Sequence, residues 1–371
     1  MSPASTFVSL YSGAGGLDLG FTLAGMRPVF ANDIDADAVE TYNRLFKRLS
    51  DELPHVGHGH RALVGDIGRV DELPARGSAD LVIGGPPCQG FSVAGRMDPS
   101  DPRSRHVWDF LSMVERVRPR AFVMENVKAL ARNRRWAGLL EQLRLKAETL
   151  GYSTELYLLN ASHFGVPQAR ERMFLIGLAD GFSHVEPQPS TVEDPPPVRS
   201  VLSALAPWGM PGNDTLCTAK VTPARNPVLR RSPFAGMLFN GQGRPMNLDA
   251  PAPTLPASMG GNRTPIIDQQ QLSEGAECWV LRYHRHLWDG GEPYASIPKR
   301  LRRITTEEAA AIQTFPPEMD WAGPQSARYR QIGNAVPPML AFAVARAVSQ
   351  SLGIADQGSL PDRVLGLAVS G

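Results

Sequence analysis

Residues 7–17 read FVSLYSGAGGL, a short apolar run followed by a glycine-rich turn. The apolar run at 7–10 predicts a buried strand, and helical periodicity starts at about Leu17. Glycines between a strand and a helix let the backbone turn tightly and approach a ligand, and the helix start offers free N–H groups. The third spaced glycine of the dinucleotide fingerprint is absent. The stretch is therefore compatible with a cofactor loop and equally with an ordinary turn.

The same alternation of strand and helix continues through the first half of the chain. Helical patterns run from about Asp37 to Arg48, from near His106, and up to Gly151. Further buried strands are predicted at 29–31, 81–83, 121–124 and 174–176. This alternation predicts an α/β fold in which a parallel sheet is covered by helices on both faces.

Composition restricts the class of protein. The 371 residues allow one large domain or two of ordinary size. The three cysteines, at 88, 217 and 278, form neither a disulfide framework nor a metal quartet, so we expect a reducing, cytoplasmic location and no metal. A signal-peptide pattern is missing, and no apolar stretch approaches the roughly 18 residues of a membrane span. We therefore expect no membrane association.

The net charge of +1 is not the usual signature of a nucleic-acid binder, but the charge is uneven. Basic residues cluster between positions 282 and 303, where only Asp289 and Glu292 oppose them. The cluster consists of Arg282, Arg285, Lys299, Arg300, Arg302 and Arg303.

The pattern changes after Gly181. Residues 187–265 are rich in proline and glycine with few periodic runs, and the prolines at 195–197 mark a linker or rigid turn. We expect an α/β segment at 1–184, a smaller irregular domain at 185–298, and a return to the first domain at 299–371. Helical periodicity at about 338–352 predicts a C-terminal helix, which a tail follows.

Two carboxylates follow strands where α/β folds bind cofactors. Asp33 ends the second strand about 20 residues after the glycine loop, where doubly wound folds bind ribose hydroxyls. Helix capping is the alternative, and Asp35 could serve equally well as the cap. Asp66 follows another strand-like segment, and an aspartate in that position is more often a turn residue than an adenine ligand.

The loop at 84–92, GGPPCQGFS, carries the sharpest chemical signal. It follows a predicted strand and so leaves the carboxyl end of the sheet, where α/β active sites lie. Two prolines stiffen the approach to Cys88, and the neighbouring residues are polar. A lone cysteine is ordinarily a small buried residue, but in such a loop it is a better candidate nucleophile.

Charged residues also mark the next strands. Glu125 ends the strand after this loop, and burial there would keep its carboxyl protonated and able to donate a hydrogen bond. A helix-capping role is the alternative. Arg170 and Arg172 are two residues apart and share one face of an extended chain. That pairing suits phosphate or carbonyl oxygens, and also an ordinary solvated edge strand.

Taken together and in this order, these segments resemble the DNA (cytosine-5) methyltransferase family of prokaryotic restriction–modification systems. The resemblance covers about 1–180 and 296–350. It implies a Rossmann-like, S-adenosylmethionine-dependent methyltransferase domain, with a target-recognition domain inserted at 185–298 and a C-terminal helix that packs back onto the catalytic domain. The matching segments are the glycine loop, the Pro-Pro-Cys-Gln loop and residues 125–127, 168–172, 302–316 and 331–338.

The resemblance also implies roles for single residues. Cys88 would add to carbon 6 of a cytosine flipped out of double-stranded DNA, while Glu125 acts at ring nitrogen 3 and Arg172 holds the ring carbonyl oxygen. Arg170 would position Cys88 or the backbone. Contacts to S-adenosylmethionine would come from Tyr11, Ser12, Gly13, Ala14, Gly15, Gly16, Asp33, Ile34, Asp66, Ile67, Pro87 and Asn334. Ile34 and Ile67 would sandwich the adenine, with ordinary core packing as the alternative.

In the irregular domain, the resemblance implies a Thr-Leu element at 252–255 and a base-contacting loop at 260–263, and the basic segments at 282–303 would bind phosphates. We expect a monomer that acts on nucleoid DNA, with a restriction endonuclease as functional counterpart. The chain departs from the family pattern at four positions. Ser9 stands where Asp is frequent, Tyr11 where Phe is usual, Asp33 where Glu is usual, and His106 where Leu is common.

Two other functions share this layout: an RNA cytosine-5 methyltransferase and a non-catalytic DNA-binding regulator. A substantial recognition domain favours duplex DNA, and the presence of Cys88, Glu125 and Arg172 favours catalysis.

Overall fold

A computed structural model describes residues 4–87 and 105–354, which form two compact units. The first unit contains the chain up to Phe164, then Arg170–Ser190, and the chain from Val336 to the end of the described residues. The second contains Gly165–Ala169 and Thr191–Ala335. Residues 299–335, which the sequence assigned to the returning segment, thus belong to the second unit. Cys88 lies outside the described residues.

The first unit is built on a sheet whose seven described strands have the order β3-β2-β1-β4-β5-β8-β6. They are β1 (Thr6–Leu10), β2 (Arg27–Asp33), β3 (Leu63–Val64), β4 (Leu81–Gly84), β5 (Ala121–Val127), β6 (Tyr152–Asn160) and β8 (Glu171–Ala179); β7 (Gln168–Ala169) belongs to the second unit. Strands β1 to β5 are parallel.

Strand β8 runs antiparallel to both β5 and β6, so the sheet is mixed and the predicted wholly parallel sheet is wrong at this edge. Only residues 161–170 connect β6 to β8. A parallel connection needs a dozen residues or more, whereas an antiparallel one can be short. The reversal brings the first residues of β8 to the carboxyl end of β5, where Arg172 pairs with Val127.

The helices begin close to the predicted positions. Asp35 caps the helix that follows β2, because its side chain accepts hydrogen bonds from the N–H groups of Asp37 and Ala38. In chain order they are α1 (Gly16–Leu23), α2 (Ala36–Glu52), α3 (His106–Val117), α4 (Lys128–Arg132), α5 (Ala137–Thr149), α6 (Val198–Leu202), α7 (Gln269–Glu274), α8 (Trp279–Trp288), α9 (Thr306–Ile312), α10 (Gln325–Asn334) and α11 (Pro338–Ser351).

The C-terminal helix α11 packs on α1, within the first unit. The approach is close: a Cβ atom added to Gly20 would lie 2.4 Å from Cβ of Ala341 and 2.5 Å from the backbone nitrogen of Phe342. This contact agrees with the prediction that the C-terminal helix packs back onto the first domain. Beneath the sheet, Val8, Val82 and Phe122 join a core of buried aliphatic and aromatic side chains.

The second unit has short strands and its own core. Strand β9 (Pro223–Val228) pairs with β10 (Met237–Phe239), and β12 (Ile266–Asp268) pairs with β13 (Leu301–Arg303), both antiparallel; β11 (Ala252–Pro253) lies parallel to β7. Its core contains Leu238, Ile266, Tyr283, Leu287 and Leu301.

In the described part of the chain, the segment Gln325–Ser351, which contains α10 and α11, is long and apolar enough to cross a membrane by length and composition. The expectation that no stretch approaches that length is wrong by this criterion. Buried core helices meet the same criterion, and 72% of the most apolar window is buried in the protein.

Candidate active site

An acidic and a basic side chain meet at the carboxyl end of β5. The Nε atom of Arg172 lies 2.9 Å from Oε1 of Glu125, and both side chains are largely buried. Arg172 reaches this position because β8 is reversed, so that its first residues lie beside the last residues of β5. The structure therefore brings together two of the four residues that the sequence singled out for catalysis.

Burial determines the protonation tendency of Glu125. It raises the pKa of the Glu125 carboxyl, while the charges of Arg172 and then Arg170 oppose that rise. The direction agrees with the prediction that a carboxyl at the end of a buried strand tends to stay protonated. Arg170 is itself fully buried. A buried carboxyl that contacts one guanidinium group can, when protonated, donate a hydrogen bond to a ligand atom.

The start of the Pro-Pro-Cys-Gln loop lies against the same strand end. A Cβ atom added to Gly85 would lie 2.9 Å from Oε2 of Glu125, so glycine permits this approach. The Nδ2 atom of Asn126 donates a hydrogen bond of 3.0 Å to the carbonyl oxygen of Pro86. Pro87, half-buried, is the last described residue before Cys88.

The glycine-rich loop connects β1 to α1 at the same end of the sheet. Tyr11, Gly13 and Gly15 have φ values of 55°, 54° and 85°, in the left-handed region. Gly13 N–H donates to Oδ2 of Asp33 at 2.8 Å, and Asp35 N–H donates to Oδ1 at 2.8 Å. Asp33 therefore shapes the loop. Burial raises the pKa of Asp33, and these N–H groups oppose the rise.

Beside this loop lies an exposed apolar surface. Ile34 is 72% exposed and Val64 is 56% exposed, and Val64, on the edge strand β3, pairs with Asp33 at the end of β2. Ile67, by contrast, is 5% exposed and belongs to the core cluster, so core packing accounts for it. The sequence analysis did not identify Val64 as a surface residue beside the loop. The available signal was the apolar dipeptide Leu63–Val64 before Gly65.

Other predicted cofactor residues are less informative. Asp66 caps a short 3-10 turn by accepting from Gly68 N–H at 3.0 Å, and its Oδ2 lies 3.5 Å from Nη2 of Arg105. Ser12, Ala14 and Gly16 are buried in the loop and at the start of α1. Asn334 ends α10 in the second unit and is exposed.

In the second unit, Gln168 has a structural role that the sequence did not indicate. Its Nε2 donates to Oε1 of Gln313 at 3.0 Å, and its Oε1 accepts from Leu255 N–H at 3.0 Å. Thr254 donates to the carbonyl oxygen of Ala169 at 2.9 Å. The Thr-Leu element is thereby fixed to the segment that precedes β8. The presence of a sequence motif does not show which of its side chains are buried.

The basic cluster at 282–303 divides into exposed and buried residues. Arg302 makes two hydrogen bonds of 2.6 and 2.7 Å with Glu308, and Arg303 donates at 2.6 Å to the carbonyl oxygen of Thr264. Arg300 pairs with Asp268 at 2.6 Å. The prediction that these three bind phosphates is wrong, because protein acceptors hold their guanidinium groups. Arg282, Arg285 and Lys299 are exposed.

The described residues offer no ligand cluster for a metal ion. Across residues 4–87 and 105–354, no group of three or more His, Cys, Asp or Glu side chains is arranged to hold a metal ion.

The α/β sheet, with one strand reversed near its edge and a glycine loop after its first strand, has a Rossmann-like fold. Two solved structures share it at identities that establish the fold alone. A DNA modification methyltransferase encoded within an Escherichia coli prophage has a TM-score of 0.62 and 20% identity, with 94% of this chain and 100% of that chain covered. The Dnmt2 methyltransferase of S. pombe has a TM-score of 0.60 and 18% identity, with 94% and 98% covered.

Sequence comparison defines the family. Residues 5–350 match the C-5 cytosine-specific DNA methylases. Type II methyltransferase M1.HphI of Haemophilus parahaemolyticus is 30% identical, with 92% of this chain and 86% of the relative covered. M.NgoPII of Neisseria gonorrhoeae is also 30% identical, with 93% and 95% covered. The chain belongs to the C-5 cytosine-specific DNA methylase family and is a DNA (cytosine-5-)-methyltransferase.

Proposed function

We propose that the protein methylates carbon 5 of a cytosine flipped out of duplex DNA, through a transient covalent bond from Cys88, with S-adenosylmethionine as methyl donor. The observation that carries the proposal is the Glu125–Arg172 pair beside the loop that leads to Cys88. Oε2 of Glu125 occupies the space that a Cβ on Gly85 would need, and Asn126 donates to the carbonyl oxygen of Pro86. A nucleophile that follows such a loop would share its surroundings with a proton donor and a guanidinium group.

The chemistry requires these groups because carbon 5 of cytosine is a poor nucleophile. Addition of the Cys88 thiolate to carbon 6 places negative charge on the ring. Glu125, protonated, donates at ring nitrogen 3 and Arg172 donates at the ring carbonyl oxygen, so both neutralise that charge as it forms. Arg170 positions the backbone. The addition makes carbon 5 nucleophilic, so that it would take the methyl group of S-adenosylmethionine, with S-adenosylhomocysteine as the leaving group. Loss of the carbon 5 proton to solvent then breaks the bond between carbon 6 and sulfur, returns the Cys88 thiolate and restores the aromatic ring.

The described residues fit the proposed cofactor. S-adenosylmethionine supplies the electrophilic methyl group. The exposed Ile34 and Val64 offer an apolar surface for an adenine ring, and Asp33 keeps acceptor capacity for ribose hydroxyls beside it. A Cβ atom added to Gly13 would meet nothing within 4 Å, so open space adjoins the loop. We propose that Tyr11 to Gly16, Asp66, Pro87 and Asn334 complete the site.

Duplex DNA is the proposed partner. A cytosine inside the base stack must be extruded, which costs a few kcal/mol. We propose that residues 185–298 recognise the target and that the exposed Arg282, Arg285 and Lys299 bind phosphates, which position the DNA without specifying sequence. By likeness to the type II relatives, the chain would belong to a restriction–modification system with a restriction endonuclease as counterpart. It would act as a monomer on cytoplasmic, nucleoid DNA.

The test uses DNA that contains 5-fluorocytosine. Its carbon 5 carries fluorine in place of the proton whose loss releases Cys88, so the covalent adduct persists. The wild-type chain should form a denaturation-resistant complex with the duplex that depends on S-adenosylmethionine, and Cys88→Ala should form none. Absence of the wild-type adduct, or trapping only on the matching RNA, would overturn the proposal. Bisulfite sequencing of DNA from expressing cells then identifies the methylated site.

A further inference from the structure

Tyr11, at the start of the glycine-rich loop, reaches the first turn of helix α3. Its ring lies edge-on to the ring of His106, with centroids 5.6 Å apart and an interplanar angle of 71°. Its hydroxyl lies 3.3 Å from both Nδ1 and the carbonyl oxygen of His106, and Nδ1 lies 3.1 Å from Oδ2 of Asp109. These contacts form a continuous polar link from loop to helix, here called the Tyr11–His106–Asp109 link.

One arrangement of protons satisfies every group in the link. Burial, and next the charge of Asp109, raises the pKa of Tyr11, so its hydroxyl remains protonated and donates. We assign the proton of His106 to Nδ1, which donates to the Asp109 carboxylate and is shared with the Tyr11 oxygen, while the Tyr11 hydroxyl donates to the carbonyl oxygen of His106.

The backbone conformation of Tyr11 is one that its surroundings must hold in place. A φ of 55° at a bulky residue places it in a region that costs about 1–3 kcal/mol and persists only where the surroundings hold it. The contacts of its ring and hydroxyl with His106 supply such a constraint. The constrained residue is next in sequence to Ser12 and Gly13, where the loop is fixed to β2 through Asp33.

A second contact joins the same two parts of the molecule. Arg105, which precedes α3, lies 3.5 Å from the carboxylate of Asp66 through its Nη2 atom. The start of α3 therefore touches the proposed cofactor site at Tyr11 and again at Asp66.

We propose that the Tyr11–His106–Asp109 link is a positioning unit that holds the glycine loop in its cofactor-binding conformation and couples occupancy of the site to the first turn of α3. The inference rests on the proposed cofactor site. It concerns a property of this chain, since Tyr11 and His106 are two of the four positions at which the sequence departs from the family pattern.

Isothermal calorimetry with S-adenosylhomocysteine tests the positioning role in wild type, Tyr11→Phe, His106→Leu and the double variant. Each single change should weaken binding about three- to tenfold, the range of one lost hydrogen bond. The double variant should bind no more weakly than the weaker single variant, because both changes break one link. Tyr157→Phe, on β6, should bind as wild type does.

Hydrogen exchange tests the coupling. In wild type, S-adenosylhomocysteine should slow exchange of the amides at 107–110, and Tyr11→Phe should lose that protection. The inference would be overturned if the single variants bound S-adenosylhomocysteine as wild type does, if the effects added in the double variant, or if protection of 107–110 were unchanged. It would also be overturned if the variants lost only thermal stability of the ligand-free protein. If the wild-type chain bound no S-adenosylhomocysteine, both the proposed cofactor and this inference would be wrong.

Discussion

Arg172 lies within hydrogen-bond distance of Glu125, at 2.9 Å, because the strands that carry them run in opposite directions. Had β8 been parallel to β5, its first residues would lie beside the first residues of β5, at the opposite end of the strands. The direction of one strand thus determines whether the two side chains can act on the same ligand.

The first prediction concerns the donor role of Glu125. Glu125→Gln should slow adduct formation with 5-fluorocytosine DNA by about 10²–10³-fold, the cost of losing one well-placed donor that carries a proton. DNA affinity should change little, since the residue is buried. Glu171→Gln is the matched control, because Glu171 pairs at the surface with Lys128. Equal losses of DNA affinity and rate would identify Glu125 as structural.

The pH dependence of the same step follows from the pKa of Glu125. Since burial raises that pKa, the donor stays protonated to higher pH than a solvated glutamate does. Rates of adduct formation should therefore fall as pH rises through the raised pKa. In Glu125→Gln the amide does not titrate, so this fall should disappear from the rate–pH profile. A profile that keeps it would assign the titration to another group.

Gly85 tests the packing of the loop against Glu125. In Gly85→Ala the new Cβ would lie 2.9 Å from Oε2 of Glu125, so either the carboxyl or the loop must move. We expect adduct formation to fall at least about tenfold, as misplacement of reacting groups can cost more than that, while the melting temperature changes little. Gly138→Ala, with open space around the added atom, is the control. Full activity in Gly85→Ala would show that the contact is unimportant.

Asp18 predicts how stability depends on pH. This wholly buried carboxyl accepts a hydrogen bond of 3.0 Å from Tyr42, and burial raises its pKa to about 7. A native pKa above that of the unfolded chain means that the native state binds the proton more tightly. The contribution of Asp18 to stability is therefore most favourable in acid and declines as pH rises from about 4 to about 7.

Denaturant unfolding at several pH values measures this effect. Asp18→Asn should remove that part of the decline, and the exposed Asp71→Asn should retain it. The same decline in Asp18→Asn and wild type would contradict the assignment.

The divided basic cluster predicts opposite phenotypes for neighbouring arginines. Arg302→Ala leaves Glu308 buried without its partner and should destabilise the fold by about 3–5 kcal/mol. Arg282→Ala, at an exposed site, should leave the free energy of unfolding unchanged. It should weaken DNA binding and reduce the salt dependence by about one counterion. Denaturant titration and binding at two salt concentrations separate the two effects.

Local patterns predicted most elements of this fold because their causes are local. The glycine loop, the cap at Asp35 and the start of α3 near His106 follow from turn, capping and periodicity rules that act within a few residues. The reversal of β8 could not be read from its apolar composition, which is the same in either direction. The length of the connection from β6 was the only signal for it.

The site was predicted unevenly for a related reason. The pairing of Glu125 with Arg172 agrees with their shared chemistry, but nothing in the sequence separates the exposed Ile34 from the buried Ile67. Nor does it separate Arg282 from Arg302, because burial depends on contacts made by distant parts of the chain. Arg302 is buried through Glu308, and Gln168 through Gln313 and Leu255.

The packing of α11 on α1 has a consequence for biosynthesis. A ribosome makes α1 before residues 191–335 of the second unit, whereas its covering helix α11 emerges only after them. Until then the face of α1 around Gly20 lacks its partner. The methyltransferase unit can therefore reach its final packing only after the second unit has been translated, and a chain interrupted before α11 would leave this face of α1 uncovered.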